Sequence, residues 1–105
     1  MLTAKSFDAR VTRDQGHMLC ALSGTLTYDC YTRFRPLLDA VDSHADADVV
    51  LDLGDLDFVD SNGLCMLLTL KQRVHATGRT LRLVNVPPRV DKLLEHTRTR
   101  AMLGS

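Results

Sequence analysis

The sequence carries no excess of charge of either sign: 13 Lys and Arg balance 13 Asp and Glu over 105 residues, with a pI near 6.9. A neutral chain sets up no broad positive field, which argues against direct binding of nucleic acid or of an anionic membrane surface. No apolar run reaches the roughly 18 residues that a bilayer-spanning helix needs, and no basic segment followed by an apolar one opens the chain. The expectation is a cytoplasmic domain without membrane insertion. Cysteine is scarce. Cys20, Cys30 and Cys65 are an odd number without CxxC spacing, which excludes a zinc ribbon and a disulfide framework and leaves buried, reduced thiols. Neither GxGxxG nor GxxxxGK followed by Ser or Thr occurs, so no nucleotide-binding loop is written in the chain. Repeats, low-complexity tracts and linkers are absent as well. What is present, 45% hydrophobic and 25% charged residues, suffices for one compact domain spanning residues 1–105 with a core of its own.

The periodicity orders that domain as β-β-α-β-α-β-α. FDARV (7–11) alternates apolar and polar residues, Asp14, Gln15 and Gly16 turn the chain, and HMLCALSG (17–24) returns as the second arm of a hairpin. Thr27, Tyr28 and Asp29 supply capping chemistry for a helix to about His44, with Phe34, Leu37, Leu38 and Val41 at helical spacing. Pro36 cannot donate in a helix interior, so this helix either starts near Arg35 or is irregular in its first two turns. VVLDL (49–53) is a strand and Gly54 with Asp55 a turn. A helix from about Asn62 to Thr77 follows, stopped by Gly78. TLRLVNV (80–86) is the last strand, and Pro87 and Pro88 open a final helix bearing Val90, Leu93 and Leu94. Val49, Leu51 and Leu53 oppose Val50 and Asp52, and Leu81 and Leu83 oppose Arg82. A parallel sheet covered on both faces would be apolar throughout, so the prediction is a mixed four-stranded α/β sheet with its helices on one face.

One stretch holds the chemistry. In FVDSNGL (58–64) an apolar approach ends in Asp60, Ser61 and Asn62 before a helix begins. All three side chains are suited to capping the free N–H groups of a first turn. Local chemistry favours the cap; the sharper reading is that a serine hydroxyl is displayed at the helix end where the dipole favours a phosphate. The neighbouring aspartates Asp52, Asp55, Asp57 and Asp60 invite a metal reading, but the run has neither the sixth-position glycine nor the twelfth-position glutamate of a calcium loop. Ser61 lacks the glycine two residues earlier that a hydrolase elbow requires, since position 59 is valine. His17, His44, His75 and His96 form no pair with ligand spacing. Cys65 sits near a helix start but points away from the apolar arc and has no nameable base. No metal, cofactor or catalytic residue is expected.

The segment from Val49 to Thr97 resembles the core of a STAS domain, the fold of anti-sigma factor antagonists. The features that carry the likeness are the Val/Leu/Asp strand, the Asp-Ser-x-Gly-Leu turn, the G-x-x-L strand and the proline-opened helix, with LSGTL (22–26) matching the strand-end G-x-L upstream. The resemblance extends over about residues 6–103. It implies that Ser61 is the phosphorylation site. It also implies partner switching: the unmodified domain binds an anti-sigma factor built on a histidine-kinase-like serine kinase fold, and phosphorylation ends the binding. ATP then belongs to the partner, and the domain is a substrate and a switch rather than an enzyme. The implied binding surface is Thr27, Asp57, Asp60, Ser61, Asn62, Gly63 and Leu64, with Leu64 or Leu68 at the edge of the apolar arc. A homodimer is left open. Thr27 stands where many phosphorylated members carry aspartate, Asn62 where a second Ser or Thr is common, and Arg98, Thr99 and Arg100 where Gly-Leu usually closes the last helix. The rival within the family is a constitutive scaffold in a lipid-transport or stress-signalling complex, with Ser61 only capping the helix.

Overall fold

The computed structural model describes residues 6–97, so Arg98, Thr99 and Arg100 lie outside the described residues. The element order matches the periodicity: β1 (Asp8–Asp14), β2 (His17–Leu26), a 3-10 turn (Tyr28–Cys30), α1 (Tyr31–Ser43), β3 (Asp48–Val59), α2 (Ser61–Ala76), β4 (Leu81–Val84) and α3 (Pro88–His96). The sheet order is β1-β2-β3-β4, antiparallel in the first pair and parallel in the next two. Gln15 and Gly16 have φ of 49° and 81° at the hairpin tip, as a two-residue turn matched to strand twist demands.

One face of the sheet is core. Met18, Cys20, Leu22 and Leu26 of β2 and Val49, Leu51 and Leu53 of β3 are buried together with Phe34, Leu38 and Val41 of α1, Leu64, Leu67 and Leu70 of α2, and Val90 and Leu94 of α3. On the opposite face Leu19 and Arg82 are exposed, and Ala21, Val50 and Asp52 are half-buried. Burial without a partner pushes the Cys20 thiol up to about 11, which keeps it protonated.

Three details depart from the local reading. Gly54 and Asp55 do not end the strand: β3 runs unbroken to Val59, and its pairing with β2 shifts register between Ala21 and Ser23 and again between Gly24 and Thr25. At each shift β3 holds an extra residue, a bulge that turns the strand and changes which side chain faces in. Buried positions therefore move from the alternate spacing of Val49, Leu51 and Leu53 to Leu53, Leu56 and Val59, three apart. The first bulge is pinned by Asp52, whose carboxylate accepts from Gly54 N–H at 2.9 Å and from Asn85 Nδ2 at 3.2 Å. Second, α1 begins at Tyr31, led in by the 3-10 turn, and passes through Pro36 on its exposed side. The irregular start, rather than a start at Arg35, is what forms. Third, β4 is shorter than the apolar run 80–86 and spans Leu81–Val84, because Asn85 takes a positive φ of 54°.

Asp48 ties β3 to β4 at their common start, accepting the Thr80 N–H at 2.9 Å. That bond is the main reason its carboxyl is held below the usual carboxylate range, with the Thr80 side chain next. A group with a depressed folded pKa adds stability above its unfolded pKa of about 3.9, and that stability is lost as pH falls through the folded value. The Tm is therefore expected to drop on acidification below about pH 4, and to do so less steeply in Asp48→Asn. Thermal unfolding followed by circular dichroism over a pH series checks this; parallel curves for the two proteins would refute it.

Candidate functional site

The stretch FVDSNGL forms the junction between β3 and α2, and the structure divides its roles. Asp60 is the N-cap of α2: its carboxylate accepts the Gly63 N–H at 2.7 Å, and its carbonyl accepts Leu64 N–H at 2.9 Å. Its own N–H donates to Leu26 O at 3.2 Å, tying the junction to the end of β2. Ser61 is the first residue of the helix and is exposed. The cap is thus made by Asp60, and among the described residues the Ser61 hydroxyl has no hydrogen-bond partner. A serine that only caps the helix is not what the geometry contains. The N–H groups of Ser61 and Asn62 lie in the first turn, where no intrahelical acceptor exists, and they point toward the space in front of the helix.

Gly63 and Leu64 turn inward. Leu64 is 4% exposed and belongs to the core, so the expectation that it meets a partner is corrected. It packs in the same core cluster as Leu67 and Leu70 of α2. Gly63 is buried too. A Cβ there would stand 2.1 Å from Leu26 O, so the glycine is explained by the close approach of helix to strand. Leu68 is half-buried against the core. Of the remaining predicted positions, Asp57, Ser61 and Asn62 are exposed, and Thr27 and Asp60 are half-buried.

Thr27 does not cap the 3-10 turn through its side chain; its hydroxyl donates to the Asp29 carboxylate. This bond is the first cause holding the Asp29 carboxyl below its ordinary value. A carboxylate is therefore present in the loop beside the junction even though position 27 is threonine.

The sequence did not reveal a groove between this loop and α2. Tyr28, Tyr31, Phe34, Asn62, Cys65 and Met66 line a cavity of about 290 Å³. Tyr28 and Tyr31 are 72% and 48% exposed, so apolar surface is displayed beside Asn62, the residue after Ser61. The spacing 28, 31, 34 puts three aromatics on one side of the chain, a signal that was readable; which of them would be covered was not. Cys20 and Cys30 are buried, but Cys65 is exposed in this groove, which corrects the reading of all three as buried thiols; its position off the apolar arc of α2 is the reason. Among the described residues no three His, Cys, Asp or Glu side chains are placed to hold a metal ion, and no helix is long and apolar enough to cross a membrane.

Residues 9–104 match the family model described as "Mlab, STAS domain". The chain belongs to the STAS family. The same fold occurs in an anti-sigma factor antagonist from Mycobacterium paratuberculosis, at a TM-score of 0.79 and 17% identity over 94% of this chain and 84% of that one. It occurs in the anti-sigma factor antagonist SpoIIAA in its unphosphorylated form, at 0.70 and 17% identity over 91% of this chain and 82% of the other. The phosphorylated form of SpoIIAA from Bacillus aligns at 0.66 and 17% identity, covering 87% of this chain and 82% of the other. A murine anion transporter, Slc26a9, contains the fold as well, at 0.64 and 19% identity over 81% of this STAS domain and 14% of the transporter. Identities this low carry the fold and nothing finer. No curated protein matches the chain.

Proposed function

We propose that this STAS domain is an anti-sigma factor antagonist that binds an anti-sigma factor with a serine-kinase fold and is released when Ser61 is phosphorylated. The observation that carries the reading is the division of labour at the α2 N-terminus. Asp60 fills the capping role, leaving the exposed Ser61 hydroxyl without an intramolecular task. A phosphate there adds about −1.5 to −2 charges. In the free domain the helix dipole and the open first-turn N–H groups offset part of that charge. Against a docked partner, beside Asp57 and Asp60, the same charge and bulk cost several kcal/mol at about the level of any like-charge juxtaposition. The contact surface comprises the turn at Asp57 to Asn62, Thr27 and the tyrosine-lined groove. Gly63 and Leu64 support it from beneath. The domain is the substrate of the kinase and performs no chemistry itself.

The test is calorimetric affinity for the anti-sigma partner recovered by co-purification, with phosphate incorporation followed in parallel. Ser61→Asp is expected to weaken binding at least about tenfold, whereas Ser61→Ala binds like the wild type and takes up no phosphate. Equal affinities for all three proteins, with no phosphate on the wild type after incubation with ATP and the partner, would discard the switch. That result would favour the second reading, a constitutive scaffold in a lipid-transport or stress-signalling complex; the STAS fold does occur within a larger transporter chain.

A further inference from the structure

A second concave surface lies on the other side of the β3 end, away from the tyrosine groove. Phe58, Val59, Val90 and Leu93 floor a cavity of about 350 Å³, and Arg89, Lys92 and His96 complete its lining. Phe58 is 49% exposed although it is among the few aromatics in the chain. The charge here is not the neutral mixture of the rest of the sequence. At 100° per residue, positions 89, 92, 93 and 96 fall within one narrow arc of α3, beside the arc of Val90 and Leu94 that enters the core. Asp91 and Glu95 fall on the opposite flank and line no part of the cavity. An apolar floor whose rim, among the described residues, carries Arg89 and Lys92 and no acid is an unbalanced surface in a chain of zero net charge.

We propose that this groove docks a protein segment in which an aromatic or leucine side chain is flanked by carboxylates. The apolar floor takes the anchor, and Arg89 and Lys92 take the acids, Arg89 by its planar two-donor geometry. Two features favour a peptide over an anionic membrane. The surface is a hollow rather than a row of protruding apolar side chains, and Asp91 and Glu95 put acids on the other flank of α3, where an interfacial helix would carry Lys and Arg. Arg89 also reaches back to the switch turn, its Nη1 lying 3.4 Å from Asp57 O. A segment docked here is thereby contiguous with the Ser61 face, yet the groove stands independently of whether Ser61 is phosphorylated.

The experiment titrates the isotopically labelled full chain with the peptide acetyl-Asp-Glu-Trp-Leu-Glu-Asp-amide and follows amide shifts by NMR. A control peptide carries Gln and Asn in place of the acids, and a separate arm uses phosphatidylglycerol vesicles. Saturable shifts centred on Phe58, Arg89, Lys92 and Leu93 are expected with the acidic peptide only. Arg89→Glu and Lys92→Glu, both at exposed positions, should each weaken binding at least about tenfold with an unchanged Tm, while Ser61→Asp leaves it unaltered. The proposal is overturned by an absence of saturable shifts, by equal shifts with the neutral peptide, or by binding to vesicles but not to the peptide.

Discussion

Arg79→Met is expected to lower the Tm by about 10–20 °C, the equivalent of about 2–4 kcal/mol for a domain of this size. Arg79 is 5% exposed, yet no acid pairs with it among the described residues. Its guanidinium instead gathers backbone carbonyls. Nη1 donates to Val41 O, His44 O and Ala47 O at 3.0, 3.1 and 3.2 Å, and Nε donates to the Thr77 hydroxyl at 2.7 Å. Those carbonyls belong to the last turn of α1 and the connection into β3, where the helix dipole presents its negative end. One side chain thus joins the end of α1, the start of β3 and the end of α2. Charge-assisted hydrogen bonds are worth about 1.5–3 kcal/mol each, but three of these share one nitrogen and Nη2 is buried without a partner among the described residues. The loss therefore falls well short of their sum. Val41 O and His44 O keep the bonds they accept from His44 N–H and Ala47 N–H, which limits the damage further. Arg79→Lys should recover only part of the stability, since a single ammonium cannot reproduce the planar donor set. Thermal and urea unfolding of both variants measure this. A Tm within 2–3 °C of wild type for Arg79→Met, about the shift from less than 1 kcal/mol, would remove Arg79 from the account of stability.

Gly63→Ala is expected to cost about 3 kcal/mol or more, toward the upper end of overpacking substitutions. On an open helix the same change would be favourable by up to about 1 kcal/mol. Here the added methyl would meet Leu26 O at 2.1 Å and Leu26 C at 2.9 Å, both backbone atoms of a central strand. Neither can rotate away, so the N-terminus of α2 must lift from β2. Lifting strains the Asp60 N–H bond to Leu26 O and carries Ser61 with it. The variant should therefore be poorly folded, and its folded fraction should bind more weakly than wild type in the affinity measurement that tests the proposed switch. Ser61→Ala is the control from the same turn. It leaves the Asp60 cap in place and should change stability by no more than about 0.5 kcal/mol. Urea midpoints at an unchanged slope give the comparison; equal midpoints for the two variants would show that helix and strand are not held together by this contact.

Local sequence determined the elements and their order. The strand alternation at Val49 to Leu53, the helical spacing of Phe34 to Val41, Gly78 and the Pro87–Pro88 pair each report what a residue and its near neighbours prefer, and that information is contained in a few adjacent positions. One-sided alternation also fixed the layering, because burial on one face imposes period 2. The helix start at Ser61 was legible from the run of capping residues Asp60, Ser61 and Asn62. Tertiary structure decided what depends on distant partners. The bulges that carry β3 past Gly54 exist only in register with β2. Leu64 is core because α2 is pressed against Leu26, while Asp60 rather than Ser61 became the cap because its extended backbone, φ −94° and ψ −177°, aims the carboxylate at Gly63. The gathering of carbonyls by Arg79 spans more than 30 residues of sequence. Both grooves, too, arise where separate helices and strand ends meet. Propensity acts between neighbours along the chain, whereas close approach and burial act between neighbours in space, and at the α2 N-terminus the second set assigned the roles.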